Sequence, residues 1–600
     1  MNFSSVSGKQ WILKKFNNQD VISIKENFSL DEITAKLIAI RNIKKEELSN
    51  FLNPSIKNSL PNPDILKDMD KSTKRIFDAI LKKEKIGIFG DYDVDGATSA
   101  AILGKFLASI KHPYEIYIPD RKLEGFGPSI KAFTKLIEKN CKLILTVDCG
   151  TLSFKPIEFL SKKKIDVLVI DHHQSEIKLP KAFSVINPNR IDDNSNLKYL
   201  CAAGVCFMFL VSLNKKLRNL KWFENNKIRE PNLILYLDLV SLGTVCDVVP
   251  LIGLNRTIVK KGLEVFKSKL NLGLKTLIDI CKIESSITSY HLGYVLGPRI
   301  NAGGRVGKCS HGANLLLNVN PQEVYKIAKE LNLYNKERKL IEENLLKEIM
   351  DKSANLSDPV LILSGVGWHE GIIGIVASRI KDRYNKPTII ISINKEIGKG
   401  SARSISNFDI GTVILSAVQS GILLKGGGHK MAGGFTITEA NIDKFKNFVI
   451  SKFNKQKILD HEGKNIFIDS IISSSAINLS FYDKVNSLAP FGSGNSEPRF
   501  VIENVKSINS QIVADKHIKS LLIGLDGTSF KSIAFNALNN DIGEYLLNKN
   551  DKSFNILGKL SLNEWKGKKN VEFIIDDLSV NKSNEIRSHR LSVRTHGFHP

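Results

Sequence analysis

Three aspartates stand at alternate positions in one short stretch of the chain. Asp91, Asp93 and Asp95 come directly after the apolar run 86–89 and are followed by Gly96. Carboxylates this close repel one another, and a divalent cation bound among them removes the repulsion because hard oxygen ligands suit such ions. The spacing therefore predicts a metal site, and metal-dependent chemistry on a phosphate is the leading hypothesis.

Two other interpretations of this acidic stretch have to be weighed. An Asp-x-Asp-x-Asp-Gly pattern also begins a calcium-binding loop, which needs a Glu where this chain has Ile102. Residues 98–107 have the apolar character of a helix instead. A solvated acidic turn is the second alternative, and the stretch taken alone leaves it open.

Further acidic residues end apolar runs in the same region. Four such runs lie between residues 85 and 251, and they end at Asp91, Asp148, Asp171 and Asp247. Strands that alternate with helical stretches predict a parallel, doubly wound sheet, although the fourth run, 239–246, could equally be a helix. Ligands gather at the carboxyl ends of such strands, so we expect the acidic residues to converge in one crevice.

Two adjacent histidines follow the third apolar run. The side chains of His172 and His173 should point in different directions, because side chains alternate along a strand. One can then bind a metal while the other faces a substrate. His172, Asp148 and Asp247, with the first acidic cluster, supply ligands for two ions, and mixed Asp and His ligands suit Mn²⁺ or Mg²⁺ better than Ca²⁺. Two such ions can drive in-line displacement at phosphorus.

The elements that position these residues belong to a larger α/β chain. Residues 320–351 have the spacing of one long helix, 359–455 resemble a second α/β unit with a glycine loop at 426–434, and short runs between 464 and 580 predict a β-barrel. The predicted domains are a helical lead-in (1–60), a parallel-sheet catalytic domain (61–315), a connector helix (316–355), a smaller α/β domain that binds phosphate or substrate (356–458), a barrel of the oligonucleotide-binding (OB) type (459–580) and a basic tail (581–600).

Size and composition limit the classes of protein that fit. The chain has 600 residues, which is too long for one core, and its 42% hydrophobic and 25% charged residues are typical of a globular protein. The net charge of +24 suits a polyanionic partner, although a lysine excess alone does not decide this. Seven scattered cysteines without a C-x-x-C pair argue against a disulfide framework and a structural zinc site. Without a long apolar run or a signal-peptide pattern, we expect a cytoplasmic location.

Several motifs resemble those of a known family. The stretches 91–96, 147–150, 171–173 and 244–247 resemble the four motifs of the DHH phosphoesterase superfamily. Six further stretches, in matching order, resemble the RecJ family of bacterial single-strand-specific exonucleases: 119–127, 298–305, 367–374, 401–404, 426–434 and 490–498. Ala202 departs from this pattern, since a glycine is expected there, and the extra methyl group should be tolerated.

The resemblance implies a role for each site residue. The metal ligands would be Asp93, Asp95, Asp148, His172 and Asp247, with Asp148 bridging and Asp91 supporting the cluster directly or indirectly. His173 would polarise the scissile phosphate or protonate the leaving oxygen. The substrate would contact Arg121, Arg299, Arg305, Ser401, Arg403, Gly427, Gly428 and His429, and His429 is also a catalytic candidate. Weaker candidates on the barrel are Lys516, His517, Lys519, Trp565, Lys566, Lys568 and Lys569.

The activity implied is that of a metal-dependent exonuclease that degrades single-stranded DNA from the 5′ end to 5′-mononucleotides, in repair and recombination. Its cofactors would be two Mn²⁺ or Mg²⁺ ions. Its partners would be a single strand with a 5′ end, a single-strand-binding protein and a helicase, with no membrane and a monomeric state. The alternatives are a DHH phosphodiesterase of short oligoribonucleotides or cyclic dinucleotides, and an inactive single-strand-binding scaffold.

Overall fold

A computed structural model describes residues 3–121, 123–268, 270–352, 358–456, 465–548, 553–565 and 568–580. These residues form two compact units. The first unit contains the chain up to Ser59, residues 250–260 and the described part of 461–600; the second contains the described residues of 60–249 and 261–460. None of the helices in these ranges combines the length and apolar character that a membrane crossing needs.

The N-terminal segment begins with strands rather than with the predicted helical lead-in. Two short strands, β1 (Phe3–Ser4) and β2 (Gln10–Leu13), pair antiparallel with each other. Four helices follow: α1 (Asn18–Phe28), α2 (Glu32–Ala39), α3 (Lys45–Leu52) and α4 (Ile56–Ser59). The lead-in is therefore helical only after Leu13.

The second unit contains a five-stranded parallel sheet in the order β4-β3-β5-β6-β7. Its strands are β3 (Ile86–Gly90), β4 (Tyr114–Tyr117), β5 (Leu143–Val147), β6 (Asp166–Ile170) and β7 (Ser184–Ile186). The strands predicted before Asp91, Asp148 and Asp171 are confirmed. Strands β3 and β5 are buried along their whole length, which explains why continuous apolar runs mark them.

Helices cover this sheet and continue the chain beyond it. They are α5 (Met69–Leu81), α6 (Val94–Ser109), α7 (Ile130–Glu138), α8 (Phe154–Lys162), α9 (Ala202–Asn219), α10 (Trp222–Asn225), α11 (Leu237–Cys246), α12 (Gly253–Phe266), α13 (Leu272–Ile280), a π-helical segment (His291–Leu296), α14 (Gly297–Val306), α15 (His311–Leu317) and α16 (Pro321–Lys352). The fourth apolar run is thus a helix, and Asp247 ends α11. The long helix predicted for residues 320–351 is confirmed as α16, and Asn320 caps its first turn.

A second sheet in the same unit has the order β11-β12-β10-β9-β8. Its strands are β8 (Leu361–Val366), β9 (Thr388–Asn394), β10 (Ile397–Arg403), β11 (Lys425–His429) and β12 (Ala432–Thr438), and its helices are α17 (Ile373–Tyr384), α18 (Ile410–Gln419) and α19 (Ile442–Lys455). The glycine-rich stretch 426–434 was predicted to be a loop. This prediction is wrong, because the glycines pair across the antiparallel hairpin of β11 and β12.

The first unit contains a closed barrel, as predicted for the C-terminal part. Strand β13 (Asn465–Ile468) precedes it and belongs to a separate sheet with β1 and β2. The barrel strands are β14 (Ser470–Ile471), β15 (Phe500–Val513), β16 (His517–Ile523), β17 (Ser529–Ala534), β18 (Phe554–Trp565) and β19 (Lys568–Val580), and the helices of this region are α20 (Leu479–Asn486) and α21 (Asp541–Leu547). Pairing of β15 with β18 closes the ring. Several strands are longer than the predicted runs, because their outward-facing residues are polar and only part of each strand is apolar.

The N-terminal strands are fastened to this barrel by one buried carboxylate. Strand β2 pairs in parallel with β13, and the Asp577 Oδ2 accepts hydrogen bonds from Trp11 Nε1 at 2.9 Å and from Ser5 Oγ at 2.5 Å. Asp577 Oδ1 accepts the backbone N–H of Leu578 at 2.9 Å. Asp577 is fully buried, so its removal would take an acceptor away from buried donors.

We expect Asp577→Ala to lower the free energy of unfolding of the first unit by about 1–3 kcal/mol, because the buried donors of Trp11 and Ser5 lose their acceptor. Urea unfolding followed by Trp fluorescence measures the change. Asp577→Asn keeps one acceptor oxygen and should lose less. Equal stability of the Ala variant and the wild type would contradict this account.

Candidate active site

The first acidic cluster lies at the turn from β3 into α6. Asp91 follows the strand, Asp93 caps the helix by accepting the N–H of Gly96 at 3.0 Å, and Asp95 lies in the first helical turn. A Cβ atom on Gly96 would lie 2.5 Å from the carbonyl oxygen of Asp91, so the tight turn needs glycine at this position. The turn thereby holds three carboxylates at the carboxyl end of a buried strand.

A second helix supports the deepest of these carboxylates. The two oxygens of Asp95 accept the backbone N–H groups of Ala202 at 2.6 Å and Ala203 at 2.9 Å, at the start of α9. The N-terminal end of a helix stabilises negative charge. Ala202 stands where the family pattern has glycine, and its methyl group is fully buried. The substitution leaves the backbone N–H that Asp95 accepts unchanged.

Asp148 follows β5 in a conformation that few side chains adopt. Its φ is 60°, in the left-handed region, where Asp and Asn are tolerated better than most residues. Its N–H donates to the carbonyl oxygen of Ile170 at 3.1 Å, which ties the turn to the neighbouring strand β6. Such backbone strain is typical of functional sites, where the surrounding structure has to maintain it.

The structure brings all six predicted metal ligands together. The His172 Nε2 lies 3.3 Å from Asp148 Oδ1, 3.6 Å from Asp247 Oδ2 and 3.7 Å from Asp95 Oδ2. Three groups have ligand atoms within 4.8 Å of one another: Asp91, Asp93 and Asp148; Asp95, His172 and Asp247; and Asp148, His172 and His173. Asp148 and His172 each belong to two of the groups.

The residues of this cluster fit a divalent cation. Asp91 Oδ1 and His172 Nε2 are buried and have no hydrogen-bond partner among the described residues, which is unusual for buried polar atoms. Burial, with the charges of neighbouring aspartates, raises the pKa of Asp91 and of Asp247 to about 8 and also raises the pKa of Asp95 and of Asp148. A cation would satisfy the orphaned atoms and offset the repulsion.

We expect the stability of the metal-free protein to fall as the pH rises from about 4 to about 8. In this window the folded chain holds protons on Asp91 and Asp247, whose pKa is raised to about 8, while the unfolded chain has released them. A divalent cation binds the deprotonated ligands, so the rise in Tm caused by Mn²⁺ over EDTA should be larger at about pH 8 than at about pH 6. Thermal unfolding with Mn²⁺ and with EDTA at each pH measures this rise in Tm. A smaller rise at the higher pH would contradict the assignment of these residues as metal ligands.

His173 is held by Asp171, which the sequence placed among the converging acidic residues without assigning it a role. Asp171 Oδ1 accepts the Nδ1–H of His173 at 2.7 Å and the backbone N–H of His172 at 2.8 Å, while its Oδ2 accepts the N–H of Thr151 at 3.0 Å. Burial lowers the pKa of His173, but the hydrogen bond and charge of Asp171 outweigh it and raise this pKa to about 9. His173 is therefore an oriented and cationic group beside the ligands.

The side chains of two asparagines also fix the backbone of His172 and His173. Asn187 Nδ2 donates to the carbonyl oxygen of His173 at 2.9 Å, and Asn189 Nδ2 donates to that of His172 at 2.5 Å. The ring of Phe126, which is 61% exposed, packs edge-on to His173 with centroids 5.8 Å apart. The two histidines thus have little freedom to turn away from the acidic cluster.

Three of the predicted phosphate-binding arginines lie close together. Burial and the charges of Arg121, Arg338 and Arg403 lower the pKa of Arg305 to about 10. Burial and Arg121 also lower the pKa of Arg403, whose Nη1 donates to Ser401 Oγ at 3.3 Å. Arg338 has its own carboxylate partner, Glu342, whereas Arg121, Arg305 and Arg403 have no ion-pair partner among the residues that the structure describes. Such a cluster is suited to an anion.

Tyr92 lies between the acidic and the basic groups. The guanidinium of Arg121 lies over its ring at 5.2 Å from the centroid, and Asp91 and Asp93 flank it in the chain. Burial raises the pKa of Tyr92 to about 12, so the phenol stays neutral. A phosphodiester strand could thus meet cation ligands on one side of Tyr92 and arginines on the other.

The glycine hairpin extends the face of the sheet that carries Ser401 and Arg403. Ser401 on β10 pairs with Gly434 on β12, and Gly434 pairs in turn with Gly427 on β11. In the same way, Arg403 on β10 pairs with Ala432 on β12, which pairs with His429 on β11. Residues directly opposite share a face, so His429 lies two strands from Arg403, roughly 10 Å away. A Cβ on Gly427 would meet nothing within 4 Å, and His429 is exposed. Gly428 pairs with Gly433, and its Cβ would lie 2.4 Å from Ala432 O.

The remaining predicted residues lie elsewhere. Arg299 donates to Asn332 Oδ1 at 3.0 Å and to the carbonyl oxygen of Val295 at 2.7 Å, so its hydrogen bonds hold α14 to the connector helix. On the barrel, Lys516, His517, Lys519, Lys568 and Lys569 are described, whereas Lys566 and the tail 581–600 lie outside the described residues. His517 Nδ1 accepts the N–H of Asn536 at 2.9 Å, and Lys519 pairs with Glu572 at 3.3 Å.

Comparisons with known proteins match three domain families to the chain. Residues 85–244 match the DHH family, N-terminal domain; residues 357–455 match the DHHA1 domain; and residues 468–577 match the RecJ OB domain. The parallel sheet, the second sheet and the barrel therefore each lie in a region that matches a known domain family.

Relatives extend the similarity over almost the whole chain. The single-stranded-DNA-specific exonuclease RecJ of Haemophilus influenzae is 32% identical over 580 residues, covering 94% of this chain and 99% of the relative. The RecJ exonuclease of Escherichia coli is 31% identical, covering 92% and 96%. The crystal structure of Thermus thermophilus RecJ in complex with Mn²⁺ matches with a TM-score of 0.79 and 25% identity, covering 95% of this chain and 79% of that one. The chain therefore belongs to the RecJ family of single-stranded-DNA-specific exonucleases.

Proposed function

We propose that this chain is a metal-dependent exonuclease that degrades single-stranded DNA from its 5′ end to 5′-mononucleotides, in DNA repair and recombination. One observation carries the proposal: a cluster of cation ligands with orphaned buried atoms, at Asp91 and His172, lies beside an arginine cluster at Arg121 and Arg305. Crystal structures of one relative, Thermus thermophilus RecJ, with Mn²⁺ and with Mg²⁺ support these two ions as cofactors.

The six clustered residues would hold the ions. Asp91, Asp93, Asp95, Asp148, His172 and Asp247 would be the ligands, with Asp148 shared between the two ions. When bound, the ions would supply positive charge to the phosphate and activate a water molecule. The chain contributes the orientation: Ala202 and Ala203 hold Asp95, and the strained turn holds Asp148.

His173 would act on the scissile phosphate. Its Nδ1–H is donated to Asp171, so Nε2 is the nitrogen left to donate a proton to a phosphate oxygen or to the leaving oxygen. The charge of Asp171 keeps the imidazole cationic at neutral pH. His429 stays a weaker proposal, as a contact to the strand rather than to the reacting atoms.

The polarity of the reaction would come from the arginine cluster. Arg121, Ser401 and Arg403 would bind the terminal 5′ phosphate, and Arg305 would contact the strand beside it, while Gly427, Gly428 and His429 would continue this surface. The N-terminal turn of α17 adds to this site, because a Cβ on Gly374 would lie 2.9 Å from Ser401 Oγ and 3.1 Å from Arg403 Nη2. Helix N-termini favour phosphate. Arg299 is proposed only as a support, given its internal hydrogen bonds.

We expect Gly374→Ala to raise the KM for a 5′-phosphorylated strand by about tenfold, a loss of about 1.4 kcal/mol of binding. The added methyl group displaces Ser401 and Arg403, while alanine is compatible with the helix. Competition between 5′-phosphorylated and 5′-hydroxyl strands measures the effect, and Ser378→Ala, one turn along the same helix, is the control. An unchanged preference for the phosphorylated strand would place the terminal phosphate elsewhere.

The activity itself is tested with one DNA strand labelled at either end. With Mn²⁺ or Mg²⁺, a 5′ label should appear at once as mononucleotide, whereas a 3′ label should give a ladder that shortens from the 5′ end. Release of mononucleotide from the 3′-labelled end first would reverse the proposed polarity. Preference for a dinucleotide over a long strand would favour the phosphodiesterase alternative, and binding without product would favour the scaffold.

The partners and the location form a finer part of the proposal. A DNA-degrading enzyme that needs single strands would work with a helicase and a single-strand-binding protein, and we propose a monomer in the cytoplasm. Co-purification with each partner and sedimentation of the purified chain test these points.

A further inference from the structure

Two tyrosines form an exposed stacked pair at the start of the helix that runs into α14. Tyr290 is 61% exposed and Tyr294 is 74% exposed. Their rings are stacked, with centroids 5.3 Å apart and an angle of 25° between the planes. Neither tyrosine belongs to the buried core, so the pair is an aromatic surface open to solvent. Aromatic surfaces of this kind stack nucleobases without regard to sequence.

The helix that carries the pair runs along the proposed active site. Arg305, at the far end of α14, belongs to the arginine cluster. In the middle, Asn301 Oδ1 accepts the N–H of Val94 at 3.1 Å, between the ligands Asp93 and Asp95. Tyr294 is thus separated from Arg305 by about 15 Å of helix, with the acidic cluster between them.

The π-helical segment, which carries Tyr294, lies close to the last ligand in the chain, Asp247. Cys246 Sγ donates to the carbonyl oxygen of Leu292 at 3.4 Å, and Cys246 directly precedes Asp247. A Cβ on Gly293 would lie 3.4 Å from Val245 Cγ1. The segment therefore packs against the end of α11, and single π-helical turns are frequent at functional sites.

We propose that Tyr290 and Tyr294 are the platform on which bases 3′ of the scissile phosphate stack. The proposal rests on the proposed function, because the arginine cluster then holds the 5′ phosphate at one end of the helix and the ligands act in the middle. The strand leaves past Asp247 and reaches the tyrosines. The tyrosine rings would stack on the flat faces of the bases. Because every base has such a face, the pair adds affinity without sequence preference.

The experiment compares wild type with Tyr294→Ala and Tyr290→Ala on 5′-phosphorylated strands that carry one abasic site at successive positions. The platform predicts a KM about tenfold higher for Tyr294→Ala on the intact strand, from the loss of one stacked base, with kcat unchanged. Tyr294→Phe should restore the wild-type KM. Tyr325→Ala, at a 52% exposed tyrosine on α16, is the control.

The abasic series identifies the stacked base. In the wild type, one or two abasic positions 3′ of the first linkage should raise KM by the same factor, and Tyr294→Ala should be insensitive at those positions. Equal KM values for wild type and the alanine variants, or equal sensitivity to every abasic position, would overturn the platform. Mononucleotide release by wild type in the same assay keeps this outcome distinct from failure of the exonuclease assignment.

Discussion

Replacing Asp148 by asparagine is expected to reduce the rate of nucleotide release by about 10³-fold or more, while binding of single-stranded DNA persists. Asp148 groups with Asp91 and Asp93 and also lies 3.3 Å from the Nε2 of His172, which groups with Asp95 and Asp247, so its loss should weaken both proposed cation positions. Asparagine has nearly the same shape and tolerates the φ of 60°, so the turn should keep its conformation. The change therefore removes charge rather than structure.

Asp515→Asn provides the matched control for this variant. Asp515 is an exposed aspartate with a φ of 54° in the barrel, far along the chain from the ligands. Rates with Mn²⁺ and anisotropy of a labelled strand measure activity and binding in the same preparation. Wild-type activity in Asp148→Asn would refute the shared-ligand role, and loss of DNA binding together with activity would point to a misfolded site.

Replacing Asp171 by asparagine should lower kcat by about 10²-fold or more, because His173 loses the partner that fixes its tautomer. The side chain of Asp171 accepts several N–H groups, and the amide of asparagine would turn a donor toward some of them. Without the carboxylate, the pKa of His173 should fall from about 9 toward its ordinary value.

The pH dependence separates a role in catalysis from one in structure. If cationic His173 acts on the phosphate, activity falls as the pH rises through the pKa of about 9, and Asp171→Asn moves this fall to lower pH. Values of kcat across the alkaline range measure the shift. Asp166→Asn is the control, because Asp166 lies at the other end of β6 and pairs with Arg75. A lower kcat with an unmoved pH profile would assign Asp171 a purely structural role.

The sequence identified the elements that are buried from both sides. Strands β3, β5 and β6 appear as apolar runs because helices cover both faces of the sheet. Strands β4 and β7 escaped notice, since the first is only half-buried and the second has three residues. The run before Asp247 stayed ambiguous because a short, wholly buried helix has no polar face to reveal its period.

The glycine hairpin shows where composition misleads. Five glycines in nine residues suggested a loop, but several are needed because neighbouring groups come too close for a side chain. A Cβ on Gly433 would lie 2.4 Å from Ile414 Cδ1, and one on Gly426 would lie 2.8 Å from Ile414 Cγ2. A glycine-rich stretch is therefore expected both where a strand packs closely against a helix such as α18 and where a loop is flexible.

The site was predictable as a set of ligands but not as an arrangement. The spacing of the acidic motifs and the resemblance to the family supplied every residue that now converges around His172. Asp171, Tyr92 and Asn187 support the site through contacts with residues that the fold brings close to them. The spacing of residues in the sequence does not reveal these contacts. For Asp171 a signal existed, since it directly precedes the two histidines at a strand end.

The bond between Trp11 and Asp577 has a consequence for how the chain is made. These residues are 566 positions apart, so the N-terminal segment emerges from the ribosome long before its partner has been synthesised. The parallel sheet of the second unit needs no such late arrival and can form first. Nascent chains arrested before and well after Asp577 should therefore differ in protease resistance around Trp11, and a chain that stops short of Asp577 would leave this segment exposed.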